Sequence, residues 1–224
     1  MPAVMSQALM FNRTKSISDV SYIGGTGQSI TTLGGTSTAN FNIDIGTFTY
    51  NDTIVMTQHV NAGTTFNAVT DMNFSIGGIP IPSNQKLIQI NSSSAIGFGW
   101  VKISLSSSQN ASFTINGNNA QNGFRDMRIF KISDGFGDLF SSQYGTGTLT
   151  LGLPSTEAIG ENTAIIAMGG NTSTDPSWTN ITQQSSFFSS NYNVYSESAS
   201  SLITSGSSRN ISLSSGDFLV ASFR

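Results

Sequence analysis

The stretch Gly99–Leu105, GWVKISL, sets Val101, Ile103 and Leu105 on one side of an extended chain and Lys102 and Ser104 on the other. Successive side chains of a strand point to opposite faces, so this period-two pattern predicts a strand with one buried face. It reads as a core strand of a β-sandwich. The rest of the chain repeats that form in shorter pieces, each apolar run closed by Gly, Asn, Ser or Asp. No stretch carries a catalytic or cofactor signature.

With 224 residues the chain can form one large all-β domain, and no linker demands two. Apolar residues make up 37% and include 15 Phe, enough for a substantial core. Charged residues are only 9%, against roughly 25% in typical soluble proteins. Ser, Thr, Asn, Gln and Gly must therefore do the solvating. Disorder does not fit, because it needs low hydrophobicity with high net charge, and the net charge here is −3. The nine Lys and Arg are scattered, so no basic patch marks a nucleic-acid site. Cysteine is absent, which excludes a disulfide framework and thiolate metal sites. The opening residues lack the basic start and unbroken apolar core of a signal peptide, and no run of roughly eighteen apolar residues exists for a membrane span. The expectation is a soluble product outside the general secretory route, with neither a nucleic-acid nor a membrane partner.

Along the chain, Val4, Met5, Leu9, Met10 and Phe11 form an apolar arm that either packs on its own domain or docks on a neighbouring subunit. Residues 1–40 are expected to be this arm and a Gly/Ser/Thr-rich lead-in, and residues 41–224 the sandwich. In FNIDIGTFTY the apolar phase slips at Gly46, which predicts a β-bulge there. Asn51-Asp52 then closes a hairpin onto Thr53–Val60. Gly77-Gly78 is a turn, and Ile79–Pro82 an edge or loop because its prolines cannot donate ladder bonds. Lys86–Ile90 is a brief strand, Ala111–Ile115 is expected to pair with the Gly97–Leu105 strand, and Asp126–Ser133 is another long strand. Further strands are predicted at Thr148–Leu151, Thr163–Met168, Trp178–Ile181, Tyr192–Ser196, Asn210–Leu213 and Asp217–Phe223. This spacing, with no amphipathic helix, predicts an all-β, antiparallel β-sandwich of jelly-roll type.

Candidate chemistry is sparse. His59 is the only histidine, in a strand and without a nucleophile elbow, and is read as structural rather than catalytic. The carboxylates cluster in turns, where Asp bonds nearby amides. Asp134-Gly135-Phe136-Gly137-Asp138 brackets a flexible loop with two acids, but EF-hand spacing is missing and a Gly-rich loop is the simpler reading. Trp100 and Trp178 are candidates for an aromatic sugar platform, with core or interface as the simpler reading. No catalytic residue, metal site or cofactor is expected.

The turn-launched strands NDTIVMTQHV, ENTAIIAMGG and SGDFLVASF, with the pair GWVKISL and DMRIFKIS, resemble in pattern and composition the jelly-roll modules of tailed-phage virion proteins. The likeness is to capsid decoration (cement) proteins and the receptor-facing domains of tail fibres, and runs from about Phe41 to the C-terminus. It implies a non-enzymatic structural subunit, commonly a homotrimer. Such a subunit is assembled in the host cytoplasm onto the virion, where it binds the major capsid protein or other virion subunits. The other functions in view are a carbohydrate-binding adhesin and, third, a glycan hydrolase.

Overall fold

The computed structural model describes residues 16–30, 37–49, 51–61, 69–90, 94–102, 104–105, 107, 109–117, 123–135, 137–154, 162–204, 206 and 208–224. All pairings between its strands are antiparallel, and they build an all-β sandwich of stacked sheets. The central sheet has the order β1 (Ile17–Ile30), β9 (Gly123–Asp134), β3 (Thr53–Asn61), β7 (Ser94–Lys102), β6 (Lys86–Ile90). A four-stranded sheet, β2 (Ser37–Asp44), β8 (Asn110–Gly117), β4 (Val69–Ile76), β5 (Ile79–Pro80), covers one face. A larger sheet covers the other, ordered β10 (Leu139–Gly152), β15 (Ser208–Phe223), β11 (Asn162–Thr172), β14 (Val194–Thr204), β13 (Thr182–Ser189), with the short β12 (Trp178–Thr179) paired to β15.

Being covered on both sides explains why β3 is buried at every position. Ile54, Met56 and Val60 point into the core shared with Met72, Phe74 and Phe113 of the four-stranded sheet. Val55 points the other way, into a core with Ile96, Phe98, Trp100, Phe130 and Ile132, closed by Ala164, Ile166, Met168, Leu219, Ala221 and Phe223. A strand buried on both faces reads as a continuous apolar run, and TIVMTQHV is close to that pattern. The outer face of the larger sheet has its own core. The β10–β15 ladder breaks register between Thr146 and Thr148, where Gly147 (φ 71°) and Gly216 (φ 86°) adopt left-handed backbone. Beyond that bend Leu149, Leu151, Ile211 and Leu213 share a core with Ile165, Ala167, Phe218 and Val220.

Several expectations are corrected. The strand around Trp100 runs from Ser94 to Lys102, earlier than GWVKISL, and both its faces are covered. Leu105 instead makes an isolated bridge with Phe48. The predicted hairpin across Asn51-Asp52 does not form: β2 pairs with β8 in the four-stranded sheet, while β3 pairs with β7 and β9. The Thr49 amide donates to Asp52 Oδ2 at 2.8 Å, and the resulting turn is a corner between sheets. Likewise β8 pairs with β2 and β4 rather than with β7. The lead-in assigned to residues 1–40 contains β1, which pairs with β9 along its length. Its glycines leave room for neighbours: a Cβ on Gly27 would meet the ring of Phe187, and one on Gly25 the side chain of Arg128. Residues 31–36 and 118–122 lie outside the described residues, as does the arm of Val4, Met5, Leu9, Met10 and Phe11.

Candidate functional site

The richest chemistry lies between the central and larger sheets, at the end of β3 where its apolar face turns polar. Alternation places Thr57, His59 and Asn61 on the same side as Val55, facing β11 and β14. The register sets His59 opposite Asp126 and Thr57 opposite Arg128 on β9. From the facing sheet, β14 presents Ser196, whose Oγ lies 2.9 Å from His59 Nδ1. Asp126 pairs with Arg128, Nη2 to Oδ1 at 2.6 Å. Arg128 Nη1 donates to the Tyr22 hydroxyl on β1 at 3.5 Å. Beside this chain, Asp217 Oδ2 on β15 accepts from Tyr144 Oη at 2.5 Å and from Ser94 Oγ at 3.0 Å. Asn61 Nδ2 donates to Asn171 Oδ1 across the same seam.

Burial shapes the electrostatics. His59, Asp126 and Ser196 are all 0% exposed. Desolvation lowers the imidazole to about 4 against the opposing pull of Asp217. It raises the Asp126 carboxyl to about 7, although Arg128 and Ser196 favour the ionised form. Phe124 closes over the imidazole edge-on, with ring centroids 5.2 Å apart. His59 Nε2 is buried with no hydrogen-bond partner.

On the other face of β14, Glu197 is also buried, and its carboxyl is raised to about 7, first by desolvation. Its Oε2 accepts from Gln183 Nε2 at 2.5 Å, while Oε1 has no partner. On the opposite face of the central sheet, Arg125 is buried at 1% exposure, and desolvation lowers it to about 10.

Ser196, His59 and Asp126 are the residue types of a nucleophilic triad, but their arrangement differs from one. The imidazole bonds the serine, but no hydrogen bond from the Asp126 carboxyl orients it, and all three side chains are sealed from substrate.

The structure places the two tryptophans in different cores. Trp100 is 5% exposed and packs edge-on against Phe223, with centroids 5.9 Å apart. Trp178 packs on Phe218 in the outer core, with centroids 5.3 Å apart. They share no surface, which corrects the idea of a joint sugar platform. An exposed aromatic pair does exist elsewhere: Phe188, at 43% exposure, lies against Tyr195 with centroids 4.6 Å apart.

The Asp134–Asp138 loop is held by the protein itself. Ser18 Oγ donates to Asp134 Oδ2 at 2.6 Å, and Lys102 Nζ to the Gly135 carbonyl at 2.7 Å. The Gly137 amide donates to the Arg224 carbonyl at 2.8 Å. Among the described residues no group of three or more His, Cys, Asp or Glu is placed to hold a metal ion. The chain matches no family model, and neither a curated protein nor a solved structure is significantly similar to it.

Proposed function

We propose that the protein is a non-enzymatic structural subunit of a virion, a jelly-roll decoration or cement protein that binds and reinforces the phage head as a homotrimer. The observation that carries this reading is the character of the outermost strand of the larger sheet. β13, TQQSSFFS, holds no charged residue and no proline. Edge strands expose unpaired backbone groups, and monomeric proteins commonly blunt them with charge or proline. An uncharged edge suits a chain whose working state is an assembly. The low overall charge, 9%, supports the same view, because an assembled subunit is stabilised by its partners through mass action. The sealing of the Ser196, His59 and Asp126 side chains favours a structural over a hydrolytic reading.

The test is solution mass by light scattering across a dilution series, followed by co-sedimentation with particles from the virus's own lysate. A stable trimer that co-sediments, and that loses affinity when residues 1–12 are deleted, supports the proposal. A monomer that ignores particles overturns it.

A second reading, a carbohydrate-binding adhesin or tail-tip receptor-binding protein, is favoured by the exposed Phe188–Tyr195 pair. Aromatic faces of this kind can stack on sugar rings. Binding on a glycan array that disappears in Phe188→Ala, with the fold intact, would establish that reading over the first.

A further inference from the structure

We propose that residues 1–11 of this chain add to the open edge of β10 as an additional, antiparallel strand of the larger sheet, leaving β13 as the open edge at its other end. β10 and β13 end the strand order of that sheet, and among the described residues β15 is the one strand that pairs with β10. An edge strand presents a row of unpaired amides and carbonyls, which natural proteins blunt with charge or proline or cover with another segment. The edges of the other two sheets use the first devices: β1 carries Asp19, β2 Asp44, β5 Pro80 and β6 Lys86. β10, LFSSQYGTGTLTLG, carries neither charge nor proline over 14 residues. It also leaves Phe140 at 40% exposure, with the Arg224 guanidinium 5.7 Å from the ring centroid. An edge of this length and character calls for cover.

The path of the chain names the cover. Traced towards the N-terminus, β1 crosses the larger sheet from one side to its middle. Gly27 lies against the Phe187 ring of β13, whereas Ser16 reaches Asn162, the first residue of β11. The Asn162 amide donates to Ser16 Oγ and its Nδ2 to the Ile17 carbonyl, both at 3.0 Å. Ile17 and Arg224 both lie beside Gly135, so the same heading carries the chain past the end of β15 towards Leu139, where β10 starts. Strands lie about 4.8 Å apart, so a strand outside β10 stands about 14 Å from β11. The steps from Phe11 to Ser16 span at most about 17 Å, enough for that crossing. Residues 1–11 then run into the Leu139 end while β10 runs out of it, which makes the pairing antiparallel. They are long enough to line residues 139–146, the stretch before the bend at Gly147.

The chemistry fits the place. Met5, Leu9 and Phe11 share one face of an extended segment, and Val4 and Met10 the other. One face continues the core margin at Leu139 and Tyr144, and the other covers Phe140. Arg13 and Lys15 lie in the crossing stretch. The corner they pass holds Asp19, Asp134 and Asp138 against Lys102 and Arg224, an excess of negative charge that favours arriving cations. This cover forms within one chain and does not depend on a virion role.

Cysteine is absent, so single labels are clean. In the full chain, a nitroxide on Gln143→Cys should broaden the amide signals of residues 3–11, whereas one on Gln184→Cys of β13 should leave them sharp. When 15N-labelled unmodified chain is mixed with unlabelled nitroxide-bearing chain, the same signals should stay sharp. Hydrogen exchange gives a second readout: deleting residues 1–11 should strip protection from residues 139–146 and leave β13 unchanged. Sharp signals with Gln143→Cys, or broadening from Gln184→Cys, would overturn the proposal. Broadening confined to the mixed sample would assign the edge to a neighbouring copy's segment and overturn it as well. So would unchanged exchange in residues 139–146 after the deletion. If the shortened chain does not fold, the nitroxide measurements decide. All are made on the free protein, so their outcome is separate from that of particle binding.

Discussion

The ring of Phe74 on β4 lies across the backbone of Gly99 on β7, so close that a Cβ at Gly99 would stand 2.7 Å from the ring's Cδ2 and 2.8 Å from its Cγ. Gly97, two residues earlier on the same face, would meet Met72 Sδ at 2.5 Å. The alternation of Gly97 and Gly99 with Ile96, Phe98 and Trp100 gives β7 a flat face for the four-stranded sheet and a bulky face for the larger one. Gly99→Ala should therefore destabilise the fold by about 1–3 kcal/mol, the usual cost of overpacking. Gly97→Ala should cost less, because a thioether yields more easily than a ring. Urea unfolding of the two variants checks the ranking, and equal stabilities would contradict it.

The pH dependence of stability follows from three groups. The folded values of Asp126 and Glu197 are both raised to about 7 from model values of 3.8 and 4.5, so each carboxyl favours the folded state at low pH and loses that advantage as pH climbs to about 7. His59 is lowered from 6.5 to about 4, so between those values the unfolded chain binds the extra proton and stability rises with pH. Histidine thus cancels one carboxyl. The unaltered protein should lose stability from about pH 5 to 7 with the slope of one proton, at most about 1.4 kcal/mol per pH unit. His59→Gln should roughly double that slope, while Asp126→Asn and Glu197→Gln should each flatten it. Denaturant titrations at a series of pH values give all four slopes, and a His59→Gln slope equal to the unaltered one would refute this accounting.

The two tryptophans should respond in opposite ways. Trp100→Ala removes a buried ring packed on Phe223 and should cost about 3–5 kcal/mol. Trp178→Phe retains a ring against Phe218 and removes an indole N–H that is buried without a partner, so it should change stability by less than about 1 kcal/mol. Thermal unfolding of both variants checks the contrast.

Gly27→Ala should loosen the seam locally. Its Cβ would occupy the space of the Phe187 ring, which joins β13 to β1 and touches Phe124. The expected result is faster hydrogen exchange in β13 and β14, with protection in the four-stranded sheet unchanged. Uniform loss of protection would point to global destabilisation instead.

Local grammar made much of the fold legible. TIVMTQHV was expected over Thr53–Val60 and forms Thr53–Asn61, and DMRIFKIS lies within β9. The Gly77-Gly78 turn and the Ile79–Pro80 edge also appear, each fixed by its own backbone chemistry. Partner choice was not legible. The Asp52 turn looks the same in sequence whether it joins paired strands or a corner between sheets, and only packing decides. β1 was hidden because its glycines read as turn residues, whereas Gly25 and Gly27 admit the side chains of Arg128 and Phe187. The buried polar cluster was invisible for a similar reason: Ser196 and His59 are 137 residues apart. One signal was present. A strand reading SESAS, with serines at alternate positions and a glutamate between them, is too polar for an ordinary core and announces a buried polar seam.

The strands are not drawn evenly from the chain. Those of the central and four-stranded sheets interleave between Ile17 and Asp134, whereas the larger sheet is built wholly from Leu139 onward. During synthesis, the first two sheets are therefore complete in sequence while the third is still being made. Until it arrives, Val55, Phe98, Trp100 and Phe130 face solvent as one sticky wall, because their cover comes from β11 and β15. Since β15 runs to Phe223, that wall cannot be fully closed before β15 itself has left the ribosome. A nascent chain of this design spends its most aggregation-prone moments half finished, and a stalled or truncated product ending before β15 would be a client for chaperones rather than a smaller working protein.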